Sequence, residues 1–405
     1  MGNVSILDQI IDTQKAEEIA RLDAVEIIDN LFSELSKRER DVIIRRYGLH
    51  GNGKETLESI GAAHELTRER IRQIESSSVR KLQQLKNLDK YINNLKKVIY
   101  QLLEEHGGLM EKEYMLETLV GFSINGFKVE SENKAIHKNY LNFLITKLLH
   151  KEFEEGSSSK HFKESYRLKF KEIDHLQELA EQLIEHIKES KRVFKTDELI
   201  KKIIEFESYI KNKEKFSIPG SIDISWTLNR DLFEEDAEFI NKHKILYSIL
   251  RAVKKIEQNK FGDWGIHNWR EIKPKTINDK IYLIFKSHKK PMHFVEIADR
   301  INKIGFDAKK ANPATVHNEL ILDGKYVLVG RGLYGLKEWG YKNGTVVNVI
   351  EEIFNESEKE LLTRDEIVEK VLAKRMVKKA TIILALMNKD KFAKEDGKYR
   401  LIKSI

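Results

Sequence analysis

Cysteine is absent from the 405 residues, which excludes disulfides and thiolate metal sites. Proline is almost absent: there are four, and the first is Pro219. A first half this poor in proline reads as helical. Long apolar runs are missing too. Stretches such as Ile281 to Phe285 fall far short of the roughly 20 residues that span a bilayer. No signal peptide is read at the start, so the expected location is the bacterial cytosol or nucleoid. What remains is 40% hydrophobic and 34% charged, enough for several cores, and the length predicts about three to five small domains. The net charge of +7 is mildly basic, which points to nucleic acid as a partner class.

Signals for enzyme chemistry are also lacking. Gly48-Leu-His-Gly-Asn-Gly53-Lys54 has half of a phosphate-loop pattern, but Glu55 stands where Ser or Thr must hold magnesium, and a helix, not a strand, precedes it. It reads instead as a glycine-rich connector. His288 and His293 straddle Lys289-Lys290-Pro291, a turn, so they share no helix face and suggest no metal site. Glu234-Glu235-Asp236 reads as a charged loop, and no Ser/His/Asp arrangement or nucleophile elbow occurs. Gly156-Ser-Ser-Ser-Lys160 reads as a flexible loop. No catalytic residue, cofactor or metal is expected.

The informative stretch is Thr67 to Glu75, T-R-E-R-I-R-Q-I-E. Ile71, Ile74, Ser78, Leu82 and Leu85 recur at spacings of three and four, predicting one buried helical stripe. Glu69, Arg72, Gln73, Ser76 and Arg80 fall on the other face, with Arg68 at its edge. Arg and Gln are the side chains that pair with guanine and adenine edges in the major groove. Thr67 is the expected N-cap, which puts these residues in the first two turns, where a recognition helix reaches bases. Upstream, Leu57, Ile60, Ala62 and Ala63 predict a short helix starting near Thr56, with His64-Glu65-Leu66 as the turn of a helix-turn-helix. Before it, Ser36 and Glu39 have capping-box spacing and Gly48 can end that helix. Residues 36–90 hold thirteen Lys or Arg against eight Asp or Glu, a basic footprint.

From about Ala24 to Leu88 the chain closely resembles region 4 of primary-class bacterial sigma factors. The shared blocks are L-S-x-R-E-R at Leu35 to Arg40, R-Y-G-L at Arg46 to Leu49, T-L-E-S-I-G at Thr56 to Gly61 and the run from Thr67 to Glu75, followed by Arg80-Lys81-Leu82. The resemblance implies reading of the minus-35 promoter element. Arg68, Glu69 and Gln73 would contact bases, and Arg38, Arg46, Thr56, Leu57 and Arg72 would hold phosphates. It also implies contact with the β-subunit flap of RNA polymerase. Ser76-Ser77-Ser78 replaces the family's Ala/Lys-rich stretch, which removes a basic phosphate contact.

After residue 95 a cassette repeats loosely: two helices, a third helix, then a hairpin ending aromatic-x-aliphatic. The third helices are expected at Tyr140 to His150, Lys244 to Ile256, Ala314 to Asp323 and Ala380 to Asp390. The closing strands are expected at Tyr166 to Leu168, Trp264 to Ile266, Tyr334 to Leu336 and Tyr399 to Leu401. Three helices plus a hairpin is the winged-helix layout. Residues 274–341 resemble a HARE-type winged helix, as in the RNA polymerase delta subunit. The resemblance rests on Pro291-Met-His293, Glu296-Ile297, Thr315-Val316, Leu320, Gly330 to Leu336 and Trp339. Gly330-Arg331-Gly332 would be a three-residue loop with Arg331 at the wing tip.

The expected architecture is therefore mainly α. A helical extension (1–23) precedes the sigma region 4-like helix-turn-helix (24–94). Tandem winged helices then follow at 95–171, 172–272, 274–341 and 345–405, with boundaries near Pro274 and Lys342-Asn343-Gly344. The expected function is a DNA-binding transcription factor that reads double-stranded, minus-35-like promoter DNA and contacts RNA polymerase. No segment resembles sigma region 2, so promoter opening by this chain alone is not expected. Two other classes stay open: an architectural or scaffold protein without sequence preference, and an accessory of a restriction-modification system by analogy with HARE-type proteins.

Overall fold

Several helices in this chain begin where a hydroxyl or amide side chain satisfies their first free amides. In the computed structural model, Ser36 and Glu39 cap each other reciprocally at the start of one helix, as do Thr276 with Asp279, Thr345 with Asn348 and Thr363 with Glu366 at three more. The structure describes residues 24–51, 53–123, 131–156, 159–218, 220–228, 232–341, 344–375 and 377–402. The expected extension at 1–23, Pro219, Lys342-Asn343 and part of the 156–160 loop lie outside the described residues. The chain divides into two compact units, Met1–His267 and Asn268–Ile405. Among the described residues no helix is long and apolar enough to cross a membrane.

The first unit opens with four helices, α1 (Ala24–Phe32), α2 (Lys37–Tyr47), α3 (Leu57–His64) and α4 (Arg68–Gln83). Val42, Ile60, Ile71 and Ile74 close the core of α2, α3 and α4, with Leu57 and Leu66 packed against it. Next come α5 (Leu88–Glu105), β1 (Leu109–Glu111), α6 (Lys112–Ser123), α7 (Ser131–Phe143), β2 (Glu154–Gly156) and β3 (Ser165–Arg167). The sheet order is β1-β3-β2, all antiparallel. The helix expected from Tyr140 starts earlier, at Ser131, and ends in a π-helical turn over Leu144–Leu148.

The rest of the unit is α8 (Asp174–Ser190), α9 (Thr196–Ile203), α10 (Glu207–Lys211), α11 (Ala237–Lys242), α12 (Lys244–Ala252) and the hairpin β4 (Ile256–Gln258) and β5 (Trp264–Ile266). A single bridge, Phe194 to Trp264, stands where β1 stands in the preceding segment. The Trp264 ring N–H donates to the Thr196 hydroxyl at 2.9 Å. Helix α12 is buried from Lys244 through Leu250. Its Lys244 ammonium meets the Glu105 carboxylate at 2.8 Å, and both side chains are buried. Glu105 also accepts the amides of Ser221 and Ile222, so the pair clamps the loop that leads from α10 to α11.

The second unit repeats one connectivity twice. First come α13 (Ile277–His288), β6 (Met292–His293), α14 (Phe294–Ile304), α15 (Pro313–Leu322), β7 (Tyr326–Gly330) and β8 (Leu333–Leu336), with sheet order β6-β8-β7. Then come α16 (Val346–Glu356), β9 (Leu362–Thr363), α17 (Arg364–Lys374), α18 (Lys379–Leu386), β10 (Phe392–Glu395) and β11 (Lys398–Leu401), with order β10-β11-β9. In both, the short strand before the second helix pairs with the last strand, and the middle strand closes the hairpin. Asn312 caps α15 and Pro313 is its first residue, since proline lacks an amide that this position does not use. The expected three-residue loop is tighter than that. Gly330 stays in β7 after a bulge and pairs with Leu333, which leaves Arg331 and Gly332 in the turn. Arg375 is buried and donates to the Leu328 and Val329 carbonyls, covering the outer edge of β7.

Candidate nucleic-acid interface

Helix α4 divides its residues as its periodicity predicts. Ile71, Ile74, Ser78 and Leu82 are buried, while Leu85, just beyond the helix end, is half-buried. The Ser78 hydroxyl sits among apolar side chains because it donates back to the Ile74 carbonyl at 2.7 Å. Arg68, Glu69, Arg70, Arg72, Gln73, Ser76 and Arg80 are exposed. Thr67 caps the helix by accepting the Arg70 amide at 3.2 Å. The reading candidates Arg68, Glu69 and Gln73 therefore stand on the first two turns of an open helical face.

The turn in front of α4 is set by one left-handed residue and one close approach. Glu65 takes the left-handed conformation, φ 55°, and ends α3. A Cβ on Gly61 would come within 2.6 Å of the Leu66 carbonyl oxygen, so only glycine lets the turn fold back onto α3. Arg68 reaches across that turn to Glu58 on α3, 2.9 Å away.

The phosphate candidates come from three helices. Thr56 caps α3 and is exposed, and Leu57 is the first helical residue after it, half-buried against the core. Arg72 lies beside Glu69 on α4, held by two hydrogen bonds of 2.9 and 2.6 Å. That contact lowers the Glu69 pKa and raises that of Arg72. Arg46 is less free than expected. Its guanidinium donates to the Glu55 carbonyl at 3.2 Å and pairs with Glu75 at 3.5 Å, while Glu75 also accepts the Tyr47 hydroxyl at 2.8 Å. Burial, then the hydrogen bond to Glu75, pushes the Tyr47 pKa up. Arg38 is exposed but stands at the opposite end of α2 from Arg46, roughly 12 Å along the axis. Arg331 is exposed in the β7–β8 turn, in the other unit.

Sequence reading missed the long-range partners: Glu58 for Arg68, Glu75 for Arg46 and Tyr47, and Asp41 for His64 at 2.7 Å. The Glu69–Arg72 and Arg70–Gln73 spacings of three carried local signals. Missed too was the cover over the other side of the module. Phe143 of α7 packs edge-on against Tyr47, ring centroids 4.9 Å apart, and against Phe32 at 6.0 Å. Asn139 donates to the Gly48 carbonyl at 2.9 Å, and Gln83 to the Lys147 carbonyl at 2.7 Å. No large hydrophobic side chain between residues 24 and 99 is exposed among the described residues.

With this geometry in place, comparison with known proteins gives the module a family. Residues 31–84 match the family Sigma-70, region 4. The chain is 36% identical over 91 residues to the RNA polymerase sigma factor RpoS of Coxiella burnetii, which is 22% of this chain and 26% of that protein. It is 48% identical over 66 residues to the RNA polymerase sigma factor SigA1 of Synechococcus elongatus, 16% of each chain. The SigA protein of Microcystis aeruginosa is 47% identical over 66 residues. The chain thus spans about a quarter or less of the length of these relatives. No solved structure matches the chain. Residues 31–84 are a sigma region 4 domain, a helix-turn-helix whose second helix is α4.

Proposed function

We propose that this protein is a transcription factor that binds minus-35-like promoter DNA with α4 and brings that DNA to RNA polymerase. The observation that carries the reading is the openness of the α4 face. The Arg68 and Arg72 side chains are 68% and 58% exposed, while the opposite stripe of the same helix is buried. Arg68, Glu69 and Gln73 read base edges; Arg38, Arg46, Thr56, Leu57 and Arg72 hold phosphates. Such a protein works in the bacterial cytosol, on the nucleoid.

Contact with the polymerase β flap belongs to the same proposal and carries a constraint. Where α7 covers the apolar side of α1 and Tyr47, a flap helix either docks on what α7 leaves open or displaces it. We further propose that residues 95–171, 172–272, 274–341 and 345–405 are winged helices, the third of HARE type. The recurrent strand order, first–last–middle, supports this. In the first two, the third helix is covered, by α1 and Tyr47 in one case and on all sides in the other. Those two serve as a rigid mount for the helix-turn-helix rather than as readers.

The test is binding of the full chain to a duplex carrying a minus-35 consensus and to its scrambled twin, at one salt concentration. The expected preference is tenfold or more, about 1.4 kcal/mol, and it disappears in Arg68→Ala/Gln73→Ala. Equal binding to both duplexes overturns base reading and leaves the architectural role.

A further inference from the structure

Four third helices occur in this chain, and they differ in what they offer a partner. Helix α7 lies against the helix-turn-helix module, and α12 is buried along its length. Helix α15 is open but not basic: Thr315 and Asn318 are exposed, and the helix carries Glu319 and no Lys or Arg. Helix α18 is open and basic. Lys378 and Lys379 stand at its start, with no acidic residue in its first turn.

Charge is segregated around that helix. Residues 375–402 hold eight Lys or Arg against three Asp or Glu, whereas residues 345–369 of the same fold hold two against eight. The corresponding part of the preceding fold, 309–341, holds five against three. Lys378, Lys379, Lys389 and Lys398 are exposed and form no ion pair among the described residues. They come from the third helix, from the turn after it and from the hairpin. Two lysines at the positive end of a helix oppose its dipole, an arrangement that an anion relieves.

We propose that this face, on α18 and the β10–β11 hairpin, is a second DNA-binding surface that holds the phosphate backbone of a duplex without reading sequence. Free lysines are mobile point charges suited to phosphates and carry no planar fork for a base edge. A single strand fits less well, because stacking needs exposed rings. Here Phe392 is buried, and Tyr399 is half-buried under Lys394, 5.9 Å from its ring. The surface is separate from α4 and does not depend on base reading there.

The experiment is a salt titration of full-chain affinity for the scrambled duplex, comparing the intact protein with Lys378→Ala/Lys379→Ala/Lys398→Ala. Each lost phosphate contact lowers the slope of log K against log salt by about 0.9, so the slope should fall by about 2 to 3. The consensus-to-scrambled ratio should stay as it is. Arg68→Ala/Gln73→Ala should do the reverse, erasing the ratio and moving the slope by about one unit or less. The three lysines are exposed and form no ion pair among the described residues, so thermal stability should not change. An unchanged slope in the triple variant, with that stability kept, overturns the proposal. So does binding of a single-stranded oligonucleotide as tightly as duplex through the same lysines. Loss of the consensus preference bears on α4 alone and leaves this surface standing.

Discussion

Glu69 holds the guanidinium of Arg72 at two points, Oε2 to Nε at 2.9 Å and Oε1 to Nη2 at 2.6 Å. One of these residues is a base-reading candidate and the other a phosphate candidate, so binding has to separate a pair that the free helix has already formed. Both are well exposed, and solvent keeps such a pair weak. Glu69→Ala releases Arg72 and removes a negative charge from the face. Non-specific affinity should rise at low salt, while preference for the consensus should fall about tenfold, by loss of one base contact. Parallel titrations on consensus and scrambled duplexes read both effects. A preference that survives Glu69→Ala removes this residue from the reading set.

Arg46 and Arg38 should separate in the same way. Arg46 bridges α2 to Glu75 on α4 and to the Glu55 carbonyl, with its side chain 36% exposed. Discounted for solvent screening, Arg46→Ala should cost about 0.5–1 kcal/mol of stability besides flattening the salt slope. Arg38 is exposed and forms no ion pair among the described residues, so Arg38→Ala should flatten the slope and leave the melting temperature alone. Thermal melts beside salt titrations check this. A stable Arg46→Ala with an unchanged slope would make the residue irrelevant to both.

Phe143 ties the helix-turn-helix to the segment that follows. It is 1% exposed and touches the rings of both Phe32 and Tyr47. Phe143→Ala should cost about 3–5 kcal/mol and uncouple the two parts, giving a separate, earlier unfolding step in calorimetry. The α4 face does not include Phe143, so the consensus preference measured below that step should persist. A single cooperative transition at the original temperature would mean that the contact does not hold the parts together.

How much of this was legible in the sequence follows from range. The caps at Ser36, Thr67 and Thr363, the buried stripe from Ile71 to Leu82 and the left-handed Gly48 depend on neighbours within a turn, and their signals are local. The partners of Arg68, Arg46 and Tyr47 come from other helices, and nothing in the spacing announces them. The burial of α12 was hidden for the same reason. Lys244 looks like a surface residue until Glu105, far away in sequence, is placed against it. The early start of α7 was missed because its first turn is polar and Ala135-Ile136 stand apart from the apolar pattern that begins near Tyr140.

His106 gives the first unit a pH dependence whose sign can be worked out. The ring is buried, with Nδ1 2.7 Å from the Leu102 carbonyl and Nε2 3.2 Å from the Tyr114 hydroxyl. A carbonyl only accepts, so Nδ1 carries the proton and Nε2 accepts from Tyr114, which describes a neutral ring. Burial pushes its pKa down to about 4 from 6.5, with the nearby Lys244 acting in the same direction and Glu105 and the Leu102 carbonyl against it. A lowered histidine pKa means that the unfolded chain binds a proton the folded chain refuses. Stability is therefore full above about pH 6.5, declines as the pH falls toward 4 and is flat below that. The loss over the window is on the order of 3 kcal/mol. His106→Asn keeps a donor for Leu102 but cannot take up a proton. Its stability should be lower at pH 7 and should change less between pH 7 and pH 4 than that of the intact protein. Chemical denaturation of both proteins at several pH values measures the difference, and parallel curves would show that His106 does not titrate across this range.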